Sequence, residues 1–235
     1  MAVISPLGGV RAAGVAFAVS FTLAVTVGLG DLLGAFADAG DSFPAYFDDR
    51  PERLRHAAGA YLLAGSGLAF AIFVAGFRAL GRDAGGVRGA MALVTSGTFA
   101  ALLGLAAAAL STVSMSVGFG TITDDPGIRE AQHLLPQLGY VVLAVPAALA
   151  GGLTVWLMAG LGARNGALPR WIAGLGRGVG VAQLFAFYTL PMILLPLWTL
   201  IAALGCDRRQ HDKGLNLLTL LCFVKRAPEL SASEW

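Results

Sequence analysis

The sequence predicts an all-α fold, a polytopic bundle of transmembrane helices, and three observations predict it. Hydrophobic residues make up 57% of the chain and charged residues only 13%, with a mean hydropathy of +0.74, a composition that belongs to membrane proteins. Residues 89–123 run for 35 positions without a charge, between Arg88 and Asp124, where about 20 apolar residues suffice to cross a hydrocarbon core of roughly 30 Å. Apolar side chains such as Met91, Phe99 and Leu105 to Leu110 cover every side of a helical turn in that run, which leaves no face for water.

The other elements follow in order. Ala12 to Gly30, between Arg11 and Asp31, reads as a first span. It exceeds the apolar stretch of a cleaved signal peptide, so a retained helix is expected despite the small-residue pattern at Ala35-Phe-Ala. Asp38 to His56 is a polar loop rich in acids, and Phe43, Tyr46 and Phe47 suit a membrane boundary. Ala57 to Phe77 is the second span and ends in a basic loop at Arg78, Arg82 and Arg88. The third span stops at Asp124-Asp-Pro-Gly, a turn signal. The fourth runs from about Leu134 to Gly162, with Pro146 inside it as a kink site. Arg164 and Arg170 make the next loop basic.

Trp171 to Gly205 is apolar except for Arg177 and is short for two helices, but Pro191 offers a break in the middle. Charge parity decides. Basic and acidic loops alternate, so the positive-inside rule puts the N-terminus and the basic loops in the cytoplasm. The tail carries Arg208, Arg209, Lys213, Lys225 and Arg226 and calls for the same side, hence an even count. The expectation is six spans, with five as the alternative, in a bundle over residues 1–205 followed by a basic cytoplasmic tail over residues 206–235. Leu215 to Val224 is too short to cross and suits the membrane surface. Arginine-rich, alanine- and glycine-rich usage points to a bacterial source.

Leu168-Pro-Arg-Trp, followed by a glycine-rich apolar run and then Leu195-Pro-Leu-Trp, resembles an uncharacterised bacterial family of small six-span integral membrane proteins. The resemblance implies a fifth helix opening at Leu168-Pro-Arg-Trp after a short cytoplasmic loop. It implies no activity and no catalytic residue. The chain departs from the pattern in its minimal connection between spans five and six and in its longer basic tail.

The candidate chemistry is sparse. Asp31 ends the first span and would mark a proton or substrate path if it lay within the membrane, although its position favours the outer interface. Gln183, with Tyr188, Pro191 and Pro196, would form a broken helix around a cavity, as transporters do. Glu130, His133 and Gln137 share one face at the start of the fourth span, and Glu130 and His133 are the candidate metal ligands, two where a site needs three or four. Arg177 is placed to snorkel to headgroups. The hydroxyls of the third span, from Thr95 to Ser116, suit helix contacts or bonds to their own backbone. Gly174, Gly176, Gly178 and Gly180 alternate without a dinucleotide fingerprint and suit close packing. Cys206 and Cys222 form no redox or metal motif. No cofactor and no nucleic-acid partner is implied; the expected partners are the lipid bilayer, further copies of the chain or other membrane proteins. The leading function is a non-enzymatic structural or accessory component, with a small-solute transporter second and a membrane-embedded metal enzyme third.

Overall fold

The computed structural model describes residues 6–28, 50–80, 86–118, 126–188 and 192–206, and these are helical apart from short turns. Seven α-helices form six rods. The first rod is α1 (Pro6–Leu23), which widens into a π-turn at Ala24–Gly28. Then come α2 (Arg50–Ala79) and α3 (Val87–Gly118). The fourth rod joins α4 (Pro126–Val142) through a π-turn at Leu143–Ala147 to α5 (Ala148–Arg164). The fifth, α6 (Arg170–Ala182), tightens into a 3-10 turn over Gln183–Tyr188. The sixth is α7 (Met192–Cys206).

Among the described residues, 4 helices are long and apolar enough to cross a membrane: Leu7–Gly28, Arg50–Ala79, Val87–Thr112 and Leu134–Arg164. They match the first four spans read from the sequence and point to a membrane location. The apolar stretch after Arg170 forms two shorter helices. With 15 residues, α7 is about 22 Å long, less than the hydrocarbon thickness.

Helices extend beyond the apolar runs. α2 begins at Arg50 rather than Ala57 and α4 at Pro126 rather than Leu134, because backbone hydrogen bonding continues wherever the residues favour it, whether or not lipid surrounds them. At Arg50 the extension carries an ion pair between Arg55 and Glu52, 2.6 Å apart at i, i+3. Pro126 stands first in its helix, where the missing N–H is no loss. Pro146 lies in the middle of the fourth rod and lacks the N–H that would bond the preceding turn; the π-turn at Leu143–Ala147 absorbs the defect.

Neighbouring rods run antiparallel, and their contacts fix the register. Val10 packs on Gly76, Phe17 on Phe70 and Gly28 on Gly59 between α1 and α2. Gly67 meets Ala100 between α2 and α3, Gly139 meets Ala106 and Leu110 between α3 and α4, and Gly176 meets Ala159 between α6 and α5. Gly205 of α7 lies on Ile172 of α6, and Ala203 of α7 returns to Gly14 of α1. The last rod thus closes onto the first, with Pro6 and Cys206 at one end of the bundle.

The same end holds Arg11, Arg78, Arg88, Arg164, Arg170 and Arg177, whereas the acids among the described residues, Glu52 and Glu130, lie at the other together with Arg50, Arg53, Arg55 and Arg129. The loop between α5 and α6 reverses through Gly166 at φ 66. Leu168 N donates to Gly162 O at 3.1 Å, and the Leu168 side chain fills the space a Cβ on Gly162 would need.

Candidate functional site

The apolar middle of the bundle is filled by phenylalanine. Phe17, Phe70 and Phe99 come from three rods and are all buried. Their ring centroids lie 4.8 Å apart for Phe17 and Phe70, 5.0 Å for Phe70 and Phe99, and 6.3 Å for Phe17 and Phe99. The last two pairs meet edge to face, the arrangement favoured by the ring quadrupoles. Phe21 and Phe73 extend the cluster. On the far side Gly151 is held between Phe99 and Leu195, so a Cβ there would lie 2.7 Å from Leu195 Cδ1 and 3.0 Å from the Phe99 ring.

Gln183, at the end of α6, is buried as well, 2% exposed. It stands where α6 loses α geometry: its N–H faces both Val179 O and Val181 O, and Phe185, two residues on, leaves helical backbone at φ −105 and ψ 17. Two glycines place it. A Cβ on Gly152 would lie 2.7 Å from Gln183 Cβ and 2.9 Å from Gly180 O, so α5 and α6 touch backbone to backbone at this level. The buried amide, the 3-10 turn and the close crossing form a candidate, among the described residues, that the structure builds into the interior. The glutamine is packed against the neighbouring helix and not set in an open groove.

Glu130 and His133 ride on α4 one turn apart, and their side chains lie outside the described residues; Gln137 further along is exposed. Among the described residues no group of three or more His, Cys, Asp or Glu gathers as a metal site would require. Asp31, Pro191, His211 and the tail from residue 207 lie outside the described residues. Arg177 is exposed on α6.

The hydroxyls behave as packing groups. Ser66, Ser96, Ser114 and Thr199 are buried, and each donates to a carbonyl three or four residues back on its own helix. One pair crosses between helices: Thr154 Oγ1 lies 2.8 Å from Thr95 Oγ1. Each hydroxyl also has a carbonyl of its own helix in reach, Met91 O at 2.9 Å from Thr95 and Ala150 O at 2.8 Å from Thr154, so one of the two donates across the helices and the other to its own backbone. Trp198 makes a second crossing, donating from Nε1 to Ile172 O at 3.0 Å while its ring lies against Gly176. Sequence reasoning passed over this contact, whose signal was a tryptophan two turns after Pro191 facing a run of alternate glycines.

His56 is also buried, 2% exposed, at the start of α2 and near the Gly28–Gly59 crossing. It sits just outside the apolar run and so gave no sign of burial.

The arrangement defines a class, a helical bundle with membrane-length apolar rods. Compared with protein-family models, curated proteins and solved structures, the chain finds no match.

Proposed function

We propose that the chain is a bacterial cell-membrane protein of six spans, with both termini in the cytoplasm, that serves as a non-enzymatic structural or accessory component. The Phe17–Phe70–Phe99 cluster carries this reading: side chains at van der Waals contact occupy the level at which a transporter holds its substrate. The hydroxyls bonded to their own helices support it. The antiparallel register supports an even count, and the short α6 and α7 are read as spans five and six. Among the described residues the Pro6 end holds six arginines and no acid, against four arginines and two acids at the other, and this asymmetry supports a cytoplasmic assignment for the Pro6 end. The resemblance to the uncharacterised six-span family is part of the same proposal. Its partners are lipid and either other membrane proteins or further copies of the chain.

The test is flux. Proteoliposomes containing the full chain are expected to pass protons, potassium and small neutral solutes no faster than empty vesicles; faster passage of any of them overturns the reading. Reporter fusions at Trp235 test the count, since an external C-terminus would leave five spans.

A transporter is the second reading, favoured by Gln183 at a 3-10 turn in the interior. It predicts that Gln183→Leu abolishes uptake at unchanged membrane level. Unchanged uptake would remove it.

A further inference from the structure

We propose that the outward face of α6 is a binding site for the headgroup of an anionic phospholipid, built from Arg170 and Arg177 with Gly174 between them. The proposal rests on reading α6 as a span.

Arg170, Gly174 and Arg177 stand at i, i+4 and i+7, on one side of the helix, and all three are exposed. The glycines of this helix divide by face. Gly176 and Gly180 press against Trp198, Ala159 and the backbone of Gly152, whereas a Cβ on Gly174 or Gly178 would meet nothing within 4 Å. The outward pair therefore leaves a shallow groove rather than serving a contact inside the bundle.

Arg177 lies about 10 Å along the axis from Arg170. Side chains on a helix tilt toward its N-terminus, and that end of α6 is at the membrane boundary. A long arginine snorkels in the same direction. Both effects carry the Arg177 guanidinium back over Gly174, on the side of the helix that Arg170 shares, so that two long cationic side chains flank one gap free of side chains and can reach a single anionic group lying over it. Trp171, 61% exposed, stands one residue from Arg170, where an indole suits the interface. The described acids, Glu52 and Glu130, are at the far end of the bundle.

A phosphodiester satisfies this geometry, since guanidinium groups bind phosphate oxygens in pairs, and glycerol or the first acyl carbons can lie in the groove. A second copy of the chain fits less well. Two copies related by an axis along the membrane normal would bring each arginine to its own equivalent at the same depth, setting like charges together.

The experiment uses the full chain extracted in detergent, titrated with phosphatidylglycerol or phosphatidylcholine and read by native mass spectrometry. Wild type is expected to prefer phosphatidylglycerol. Arg177→Gln should weaken that binding about fivefold and Arg170→Gln with Arg177→Gln about 25-fold, each arginine near an anionic lipid surface being worth roughly that factor. Gly174→Leu keeps every charge but fills the groove and should also weaken it, whereas Arg88→Gln, an exposed arginine of α3 at the same end, should not.

Equal preference in wild type and the double variant overturns the site. So does a Gly174→Leu protein that binds as wild type does, because the effect would then be diffuse charge. Displacement of the lipid by millimolar inorganic phosphate would make free phosphate the ligand, and a dimer lost on Gly174→Leu with lipid binding intact would make the occupant a second copy. Wild type found in the soluble fraction would overturn the membrane reading itself; membrane-bound wild type without the preference overturns the site alone.

Discussion

The two halves of the bundle are held by different means. α1, α2 and α3 are long rods joined by phenylalanine rings and by glycines that let backbones touch. α4 to α7 are interrupted by a π-turn and a 3-10 turn, and polar side chains help tie them, Trp198 to Ile172 within this half and Thr154 across to Thr95 of α3. Among α1, α2 and α3, where the π-turn at Ala24–Gly28 is the one break among the described residues, packing supplies most of the interface. Where proline or a tightened turn disturbs the ladder, polar side chains help fix the neighbours.

The largest effect should come from the first half. A Cβ on Gly59 would lie 2.5 Å from Gly28 Cα, and backbone cannot yield as a side-chain tip does. Gly59→Leu should cost about 3 kcal/mol or more and leave little folded protein in a detergent unfolding titration; near wild-type stability would show that α1 is not held there. Phe70→Ala should cost on the order of 3 kcal/mol, because the cavity removes ring contacts to Phe17, Phe73 and Phe99 together.

The second half should respond less. Trp198→Phe removes one hydrogen bond to Ile172 O and should cost about 1 kcal/mol in the same titration. Thr154→Val should cost about 0.6 kcal/mol, the average for such bonds between membrane helices, since Thr95 keeps its own carbonyl partner at Met91. If Thr154→Val matched Phe70→Ala in cost, the contrast between the halves would fail.

The first four spans were legible because lipid demands long uncharged stretches and the sequence has them. Helix ends were less legible, since Arg50 to His56 and Pro126 to His133 are polar yet helical. Of the candidate site, a departure from regular helix near Gln183 could be read from an amide among prolines and aromatics, but its tightening to a 3-10 turn and its packing against Gly152 could not. The four alternate glycines of α6 were read as close packing, and the structure divides them: Gly176 and Gly180 pack, while Gly174 and Gly178 face outward.

By itself the sequence determined a helical membrane-type chain, the order of its apolar runs and the grouping of its charges, because hydropathy and charge are local properties. Only the tertiary structure decided that Phe17, Phe70 and Phe99 meet, that α7 returns to α1 at Gly14, and which pair of glycines is covered. Those depend on how each rod is rotated about its axis, and rotation is set by contacts between residues far apart in the chain.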